Sequence, residues 1–335
     1  MSKTAKKHHY VWAHYLTSWA KPGSKEVWYE TSKGNVACDS VTGLSRELGF
    51  NKIHKISNKD VSYLNLWPQG DSVSLQKFKK SQMEYFRTAS KFIGCHEGYE
   101  RHPEYSALKE ISDSAEFGVF EYTHTIIENL ARPIIDQLKI GNTAILDCRK
   151  NTINFCNFLA QQLFRTKKVK ELCLRSIHSL PLGNSSLEEY RELFERNWWM
   201  ISYQLALNVG SSLSSSASTD NYIFIRNSSP IDFITSDCPV INIHDSAYDP
   251  EDAYKVPDEL ELYFPISPRT AIIIAPTDRH NCLANSISED QVRSLNRKMA
   301  NSSFLTVYAT SKQAIIDVRS SRNSPPKAST PPHQK

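Results

Sequence analysis

The stretch FGVFEYTHTIIENLARPIIDQL, residues 117–138, decides the fold class of this chain. Its apolar side chains recur every three or four residues, which is the period of an α-helix with one buried face. The repeating positions are Phe120, Thr123, Ile127 and Leu130. Pro133 has no amide proton, so we expect it to kink this helix or to restart it. The stretch therefore predicts a long amphipathic helix near the centre of the chain.

The same helical period extends to both sides, over residues 72–208. Residues 152–173 repeat it, and Ser186 followed by Glu189 predicts a capping box at the start of a further helix. The run GSSLSSSAS, residues 210–218, is low in complexity and predicts a flexible loop that ends the helical region.

The flanks of the helical region have the pattern of β-strands. In the first flank, Val27-Trp28-Tyr29 and Asn35-Val36-Ala37 stand on either side of Ser32-Lys33-Gly34, which predicts a β-hairpin. The second flank has short apolar runs bounded by turn residues. These runs are residues 222–225, 232–235, 271–274 and 304–308, with a capped helix that begins after Ser288.

Together these patterns predict an α+β fold. A helical centre, residues 72–208, lies between β-rich ends, residues 8–70 and 220–309, and we expect the two ends to share one sheet. We expect one domain over residues 8–309. Residues 320–335, rich in Pro, Ser and Lys, lack an apolar period and are predicted to be a disordered tail.

Composition and missing motifs exclude several classes of protein. The 40 Lys+Arg exceed the 36 Asp+Glu by +4, which permits a nucleic-acid partner without requiring one. The longest apolar run is far shorter than the ~20 residues of a membrane span, so no membrane partner is expected. The 7 scattered cysteines form no C-x-x-C pair and indicate reduced thiols in a cytoplasmic protein. Motifs of P-loop ATPases, zincins, α/β-hydrolases and Rossmann dehydrogenases are missing.

Four segments stand in order along the chain: HHYVWAHYLTSW (residues 8–19), FLAQQLFRT (158–166), FITSDCPV (233–240) and FPISPR (264–269). Together they resemble the family called domain of unknown function 4238, which is found mostly in bacteria. Two positions depart from its pattern: Trp12 and Lys167 stand where the family usually has Pro. Without that second Pro, we expect the helix to run on through Arg165-Thr166. No activity is agreed for the family, so the resemblance locates a site and leaves its chemistry open.

The pair His8-His9 opens the first of these segments. Adjacent side chains on an extended strand face opposite sides, so only one imidazole faces a given cleft. Imidazole titrates near neutral pH and serves as a general base, a proton donor or a metal ligand. The alternative is that one histidine bonds a polar group of the core while the other is solvated. We take both as candidate catalytic residues.

The third and fourth segments supply further candidates. Asp237 follows a predicted strand, where a carboxylate serves as a base, a metal ligand or a turn former that accepts backbone hydrogen bonds. We take it as catalytic. Ser236 is a nucleophile only beside a base, so it is taken as substrate-binding. Arg269 and Asn296 join it in that role, although Asn296 is also expected to hold the turn before Arg269.

Arg165 is the charged residue of the second segment. Its guanidinium either pairs with a buried carboxylate, Glu128 or Asp237, or binds a substrate phosphate through two parallel hydrogen bonds. We take it as catalytic. Glu128 lies four residues after His124 on the central helix, a spacing that places both on one ligand or makes them a surface pair. Glu128 is taken as substrate-binding.

These candidates predict a hydrolase that acts on nucleic acid or a nucleotide, nuclease-like, in phage defence or as a toxin. His8 or His9 would be the base or a metal ligand, Asp237 would orient it or bind a divalent metal ion, and Arg165 would stabilise charge on phosphate. The family's distribution alone suggests the biological setting. The alternative is a non-catalytic sensor or binding module in which the His/Asp/Arg set is a buried polar network.

Overall fold

The computed structural model describes residues 6–70, 72–178, 184–248 and 259–322. The strands are β1 (Lys7–His9), β2 (Glu26–Glu30), β3 (Val36–Ser40), β4 (Arg46–Leu48), β5 (Asn221–Arg226), β6 (Thr235–Ser236), β7 (Ile241–Asn242), β8 (Leu262–Ser267), β9 (Thr270–Ala275) and β10 (Val307–Ala309). The helices are α1 (Ala13–Leu16), α2 (Asn58–Leu64), α3 (Val73–Ser90), α4 (Tyr105–Asp113), α5 (Val119–Lys139), α6 (Arg149–Phe164), α7 (Lys167–His178), α8 (Asn184–Ser216), α9 (Cys282–Asn285), α10 (Glu289–Ser302) and α11 (Lys312–Arg322). The fold is α+β, as predicted.

The two ends of the chain share one antiparallel sheet, with the strand order β3-β2-β10-β6. Strand β2 pairs with β3 on one side and with β10 on the other, so that Trp28 lies opposite Ala309. The expected shared sheet is therefore present. A second sheet, β5-β9-β8-β7, and a ribbon of β1 with β4 complete the strands of the described residues.

The hairpin predicted around Ser32-Lys33-Gly34 forms between β2 and β3. The amide of Gly34 donates to the carbonyl of Thr31 at 2.8 Å, and the amide of Thr31 donates to the carbonyl of Asn35 at 2.8 Å. Gly34 has φ +76°, a left-handed conformation that a residue without Cβ adopts at no steric cost.

Aromatic side chains join the first residues to the C-terminal strands. The hydroxyl of Tyr15 lies 2.7 Å from Thr235 Oγ1 and donates to the carbonyl of Pro265 at 2.8 Å. The indole of Trp19 donates to the carbonyl of Phe233 at 2.7 Å. Both aromatic rings are buried, and such rings are stable in a core when their polar atoms find partners. The N-terminal segment thus packs against the C-terminal strands, within the same hydrophobic core as the central helices.

Helix α8 runs through the serine-rich stretch that predicted a loop, so that prediction is wrong. A Cβ on Gly210 would stand 3.0 Å from the Cα of Asn157 on α6. The glycine therefore allows two helices to approach closely, and Leu213 beyond it is buried. Packing against α6 outweighs the low helix propensity of this composition.

Several boundaries differ from the sequence-based expectations. Helix α6 ends at Phe164 instead of continuing through Arg165, and α5 passes Pro133 without restarting. Ser186 lies inside α8, which begins two residues earlier. Helix α11 extends to Arg322, so residues 320–322 are not part of a disordered tail, and residues 323–335 lie outside the described residues. The capped helix after Ser288 forms as expected.

Among the described residues, no helix is both long and apolar enough to cross a membrane.

Candidate functional site

The eight candidate residues fall into two groups. Four of them lie where β1, α5 and the end of α6 meet: His8, His9, Glu128 and Arg165. The other four lie in the C-terminal region: Ser236, Asp237, Arg269 and Asn296.

Arg165 is the centre of the first group. It is the C-terminal cap of α6, its side chain is 3% exposed, and its Nη2 forms a short ion pair with Glu128 Oε1 on α5. Of the two carboxylates considered from the sequence, Glu128 is therefore its partner. Its Nε has no hydrogen-bond partner among the described residues. The Nε–H group of the guanidinium is therefore able to donate to a further acceptor.

His8 is fully buried and is connected to α5 through Asn51. The backbone amide of Asn51 donates to His8 Nδ1 at 2.8 Å, and the side-chain amide of Asn51 donates to Glu121 Oε2 at 2.8 Å. Because Nδ1 accepts, the neutral ring of His8 carries its proton on Nε2. The sequence analysis missed both Asn51 and Glu121.

His124 lies one turn before Glu128 on α5 and is 3% exposed. It belongs to the interior and not to a surface pair. Neither Nδ1 nor Nε2 has a hydrogen-bond partner among the described residues, and the ring lies edge-on to Phe120 at 4.7 Å between centroids. Burial, and then the positive charge of Arg165 and the neighbouring His8, hold the pKa of His124 well below its usual value. The ring is therefore neutral at pH 7.

His9, the last residue of β1, also lies near the positive charge of Arg165. Burial lowers the pKa of His9, a backbone hydrogen bond with Thr42 opposes this, and the charges of Arg165 and Arg46 lower it further. Arg46 lies opposite His9 in the β1–β4 ribbon. The Nε2 of His9 is buried and has no partner among the described residues. His9 thus lies close enough to both Arg165 and its strand neighbour His8 to interact with them electrostatically.

Glu121 and Glu128, the two glutamates of α5, have raised pKa values. Burial is the largest cause for both Glu121 and Glu128, and the charge of Arg165 offsets part of it. We call this group the buried polar cluster, and it has six members. They are His8, His9, Glu121, His124, Glu128 and Arg165. Its α5 members follow the spacing Glu-x-x-His-x-x-x-Glu, which places them along one face of the helix.

Asp237 has structural partners in the other group. Its two carboxylate oxygens accept from the backbone amides of Phe304, at 2.9 Å, and Leu305, at 2.7 Å. Burial raises the pKa of Asp237 although these hydrogen bonds lower it. The carboxylate thus fixes the chain between α10 and β10. The catalytic role of Asp237 stays a prediction.

The remaining candidates also bond to the protein itself. The hydroxyl of Ser236 lies 3.0 Å from both the amide and the carbonyl of Cys238. Asn296 accepts from the amide of Ile234 and donates to the carbonyl of Asp232. It therefore holds that segment and not the turn before Arg269. Arg269 forms an ion pair with Asp232 at 2.9 Å.

A family model described as "Protein of unknown function (DUF4238)" matches residues 7–313, nearly the whole chain, and the chain belongs to this family. The match includes every member of the buried polar cluster and of the C-terminal group. Comparisons with curated proteins and with solved structures find no match.

Proposed function

We propose that this member of the DUF4238 family hydrolyses phosphoester bonds of a nucleotide or nucleic acid, with the buried polar cluster as its site. One observation carries the proposal: several buried polar atoms in and beside the cluster have no partner among the described residues. They are His9 Nε2, both ring nitrogens of His124, Arg165 Nε, and both amide atoms of Gln162, one turn before Arg165. Buried polar groups are nearly always hydrogen-bonded, so a polar ligand is expected here.

The charges favour an anionic ligand. Arg165 keeps its positive charge at any working pH, and its Nε edge is available beside the Nη2 that Glu128 uses. Arg46 contributes a second positive charge next to His9. A phosphate oxygen bound at Arg165 Nε would gain a charge-assisted hydrogen bond in a site with little water.

The neutral histidines of the cluster supply a base, and the raised pKa of Glu121 supplies an acid. Neutral His124 or His9 takes a proton from a water molecule as its oxygen attacks phosphorus. Glu121, held protonated longer by its raised pKa, gives a proton to the leaving oxygen as the P–O ester bond breaks. Arg165 stabilises the charge that develops on the phosphoryl oxygens.

A substrate reaches this cluster only when a covering element moves. The short ribbon β1–β4 carries His8 and His9, and the side chains of all three β4 residues are exposed. We assign the covering role to this ribbon, because its two strands pair only with each other among the described strands. A cytoplasmic location and a role in phage defence or as a toxin complete the proposal.

The test is hydrolysis of RNA, DNA and free nucleotides by the purified chain and by two variants. His124→Leu removes one of the two candidate bases, and Arg165→Lys keeps the charge opposite Glu128 but loses the planar guanidinium. We expect each to lower turnover about 100-fold or more, as when one transition-state donor is removed. The matched controls are His54→Leu and Arg175→Lys, which lie outside the cluster. No turnover by the wild type, or full turnover by both variants, contradicts the proposal.

The burial of the cluster favours a second candidate, a non-catalytic sensor. Arg165 and Glu128 are already paired, and Asn51 joins His8 to Glu121. A sensor would bind a nucleotide without turnover, raise the melting temperature of the wild type, and lose this shift in Arg165→Lys. A plaque assay with wild type, His124→Leu and His54→Leu tests the defence role for either candidate.

A further inference from the structure

We infer that His244, Glu259 and Glu261 form a separate site for a divalent transition-metal ion. One ligand atom from each residue lies within 4.8 Å of the other two. Glu261 is 1% exposed, so its carboxylate is held inside the protein and not spread over the surface. The site lies at the edge of the second sheet, beside β7 and β8, and does not depend on the proposed hydrolase function.

One side chain positions the backbone of all three residues. Asn242 Oδ1 accepts from the amides of His244, at 3.1 Å, and Glu261, at 2.9 Å. Asn242 Nδ2 donates to the carbonyl of Glu259 at 3.0 Å. Since β7 ends at Asn242 and β8 begins just after Glu261, the sheet fixes two of the ligands relative to each other.

The spacing of the ligand atoms suits zinc. His244 Nε2 lies 3.8 Å from Glu259 Oε2. Two ligands of a tetrahedral zinc ion, each about 2.0–2.2 Å from the metal, stand roughly 3.3–3.6 Å apart, so a small side-chain adjustment is enough. An imidazole with carboxylates favours zinc or a similar ion over magnesium or calcium, which prefer oxygen alone.

Neighbouring side chains support the ligands as outer partners do in metal sites. His244 Nδ1 lies 2.7 Å from Ser246 Oγ and accepts from the amide of Ser246 at 3.3 Å. Metal binding at Nε2 therefore requires the ring proton to move to Nδ1, where Ser246 Oγ accepts it. His280 Nε2 lies 2.8 Å from Glu261 Oε2 and can orient that carboxylate.

Arg279 is the competing cation. Its Nη1 lies 3.0 Å from Glu261 Oε1 and its Nη2 lies 3.4 Å from Glu259 Oε2. One guanidinium brings a single positive charge to the two carboxylates, whereas a divalent ion brings two. Metal and Arg279 therefore compete for the same oxygens, and this competition separates a metal site from an ion-pair network.

The experiment adds zinc chloride to the full chain after chelator treatment and measures bound zinc by dialysis and elemental analysis. We expect His244→Ala and Glu261→Gln to lose one equivalent of zinc relative to the wild type. The matched control, His14→Ala, removes a histidine that also faces a carboxylate, Asp136, and should keep it. Arg279→Gln should bind zinc at least as tightly as the wild type, because the competing charge is gone.

Zinc bound by cysteines is the same in all these variants, so only the difference from the wild type counts. If Glu261→Gln does not fold, Glu259→Gln takes its place, since Glu259 is partly exposed. Equal zinc content in His244→Ala and wild type overturns the inference. So does zinc binding that is lost in Arg279→Gln, which would show that the cluster needs the arginine and not the metal.

Discussion

Replacing His124 by leucine should make the protein more stable while it removes the proposed activity. Two buried ring nitrogens without partners each oppose folding by about 1–3 kcal/mol. Leucine removes both but loses the edge contact with Phe120, which contributes about 0.5–1.5 kcal/mol. Leucine also differs from histidine in shape, and the repacking that this requires lowers the stability by about 1 kcal/mol more. At the middle of these ranges the net expectation is a gain of about 2 kcal/mol.

The assay is urea unfolding at pH 7.5, followed by circular dichroism, with melting temperatures as a second readout. Gln162→Leu serves as an independent variant, because both atoms of that buried amide also lack partners among the described residues. His54→Leu, at a half-buried histidine outside the cluster, should change stability by less than about 0.5 kcal/mol. If His124→Leu and Gln162→Leu both destabilise the protein by more than about 1 kcal/mol, these polar atoms have partners in solution and the reasoning is refuted.

Three further predictions concern Asp237, His124 and the pair of Arg165 with Glu128. Asp237→Ala should lower the unfolding free energy by about 2–4 kcal/mol, because two charge-assisted hydrogen bonds to backbone amides are lost, and an unchanged urea midpoint would contradict this. The depressed pKa of His124 contributes stability that is present above pH ~6.5 and is lost as pH falls, by up to ~1.4 kcal/mol per pH unit. His124→Leu should therefore flatten the pH dependence of the urea midpoint between pH 7 and 5. Parallel curves of midpoint against pH for the wild type and the variant would exclude this cause. Arg165→Met should destabilise the protein by about 3–5 kcal/mol, because it leaves Glu128 buried without its partner. In a double-mutant cycle, adding Glu128→Leu should recover most of that loss, and strictly additive effects would argue against the coupling.

The sequence predicted the elements whose pattern is local. The helix predicted over residues 117–138 and the hairpin around Gly34 appear close to their predicted positions, although Leu130, one of the four repeating positions, is exposed. The serine-rich end of α8 was not predictable, since its helix depends on Gly210 meeting α6, a contact between residues far apart in sequence. Propensity is a weak guide where such packing decides the outcome.

The candidate site shows the same limit. The family resemblance drew attention to His8, His9 and Arg165, and the helical spacing of His124 and Glu128 put both on one face. Neither pattern contains Asn51, whose loop reaches the cluster only in the folded chain. The role of Asp237 depended on what surrounds the end of a strand, because the amides of Phe304 and Leu305 that contact it lie outside all four segments.

The pairing of β2 with β10 has a consequence during synthesis. Trp28 leaves the ribosome long before Ala309, its neighbour across the sheet, has been made. Until then the β2–β3 hairpin has an open edge that can pair with a strand of another chain. A product cut short before Val307 keeps this edge open permanently. Premature termination near the 3′ end of the message should therefore yield aggregates, and we expect this protein to depend on chaperones while it is being translated.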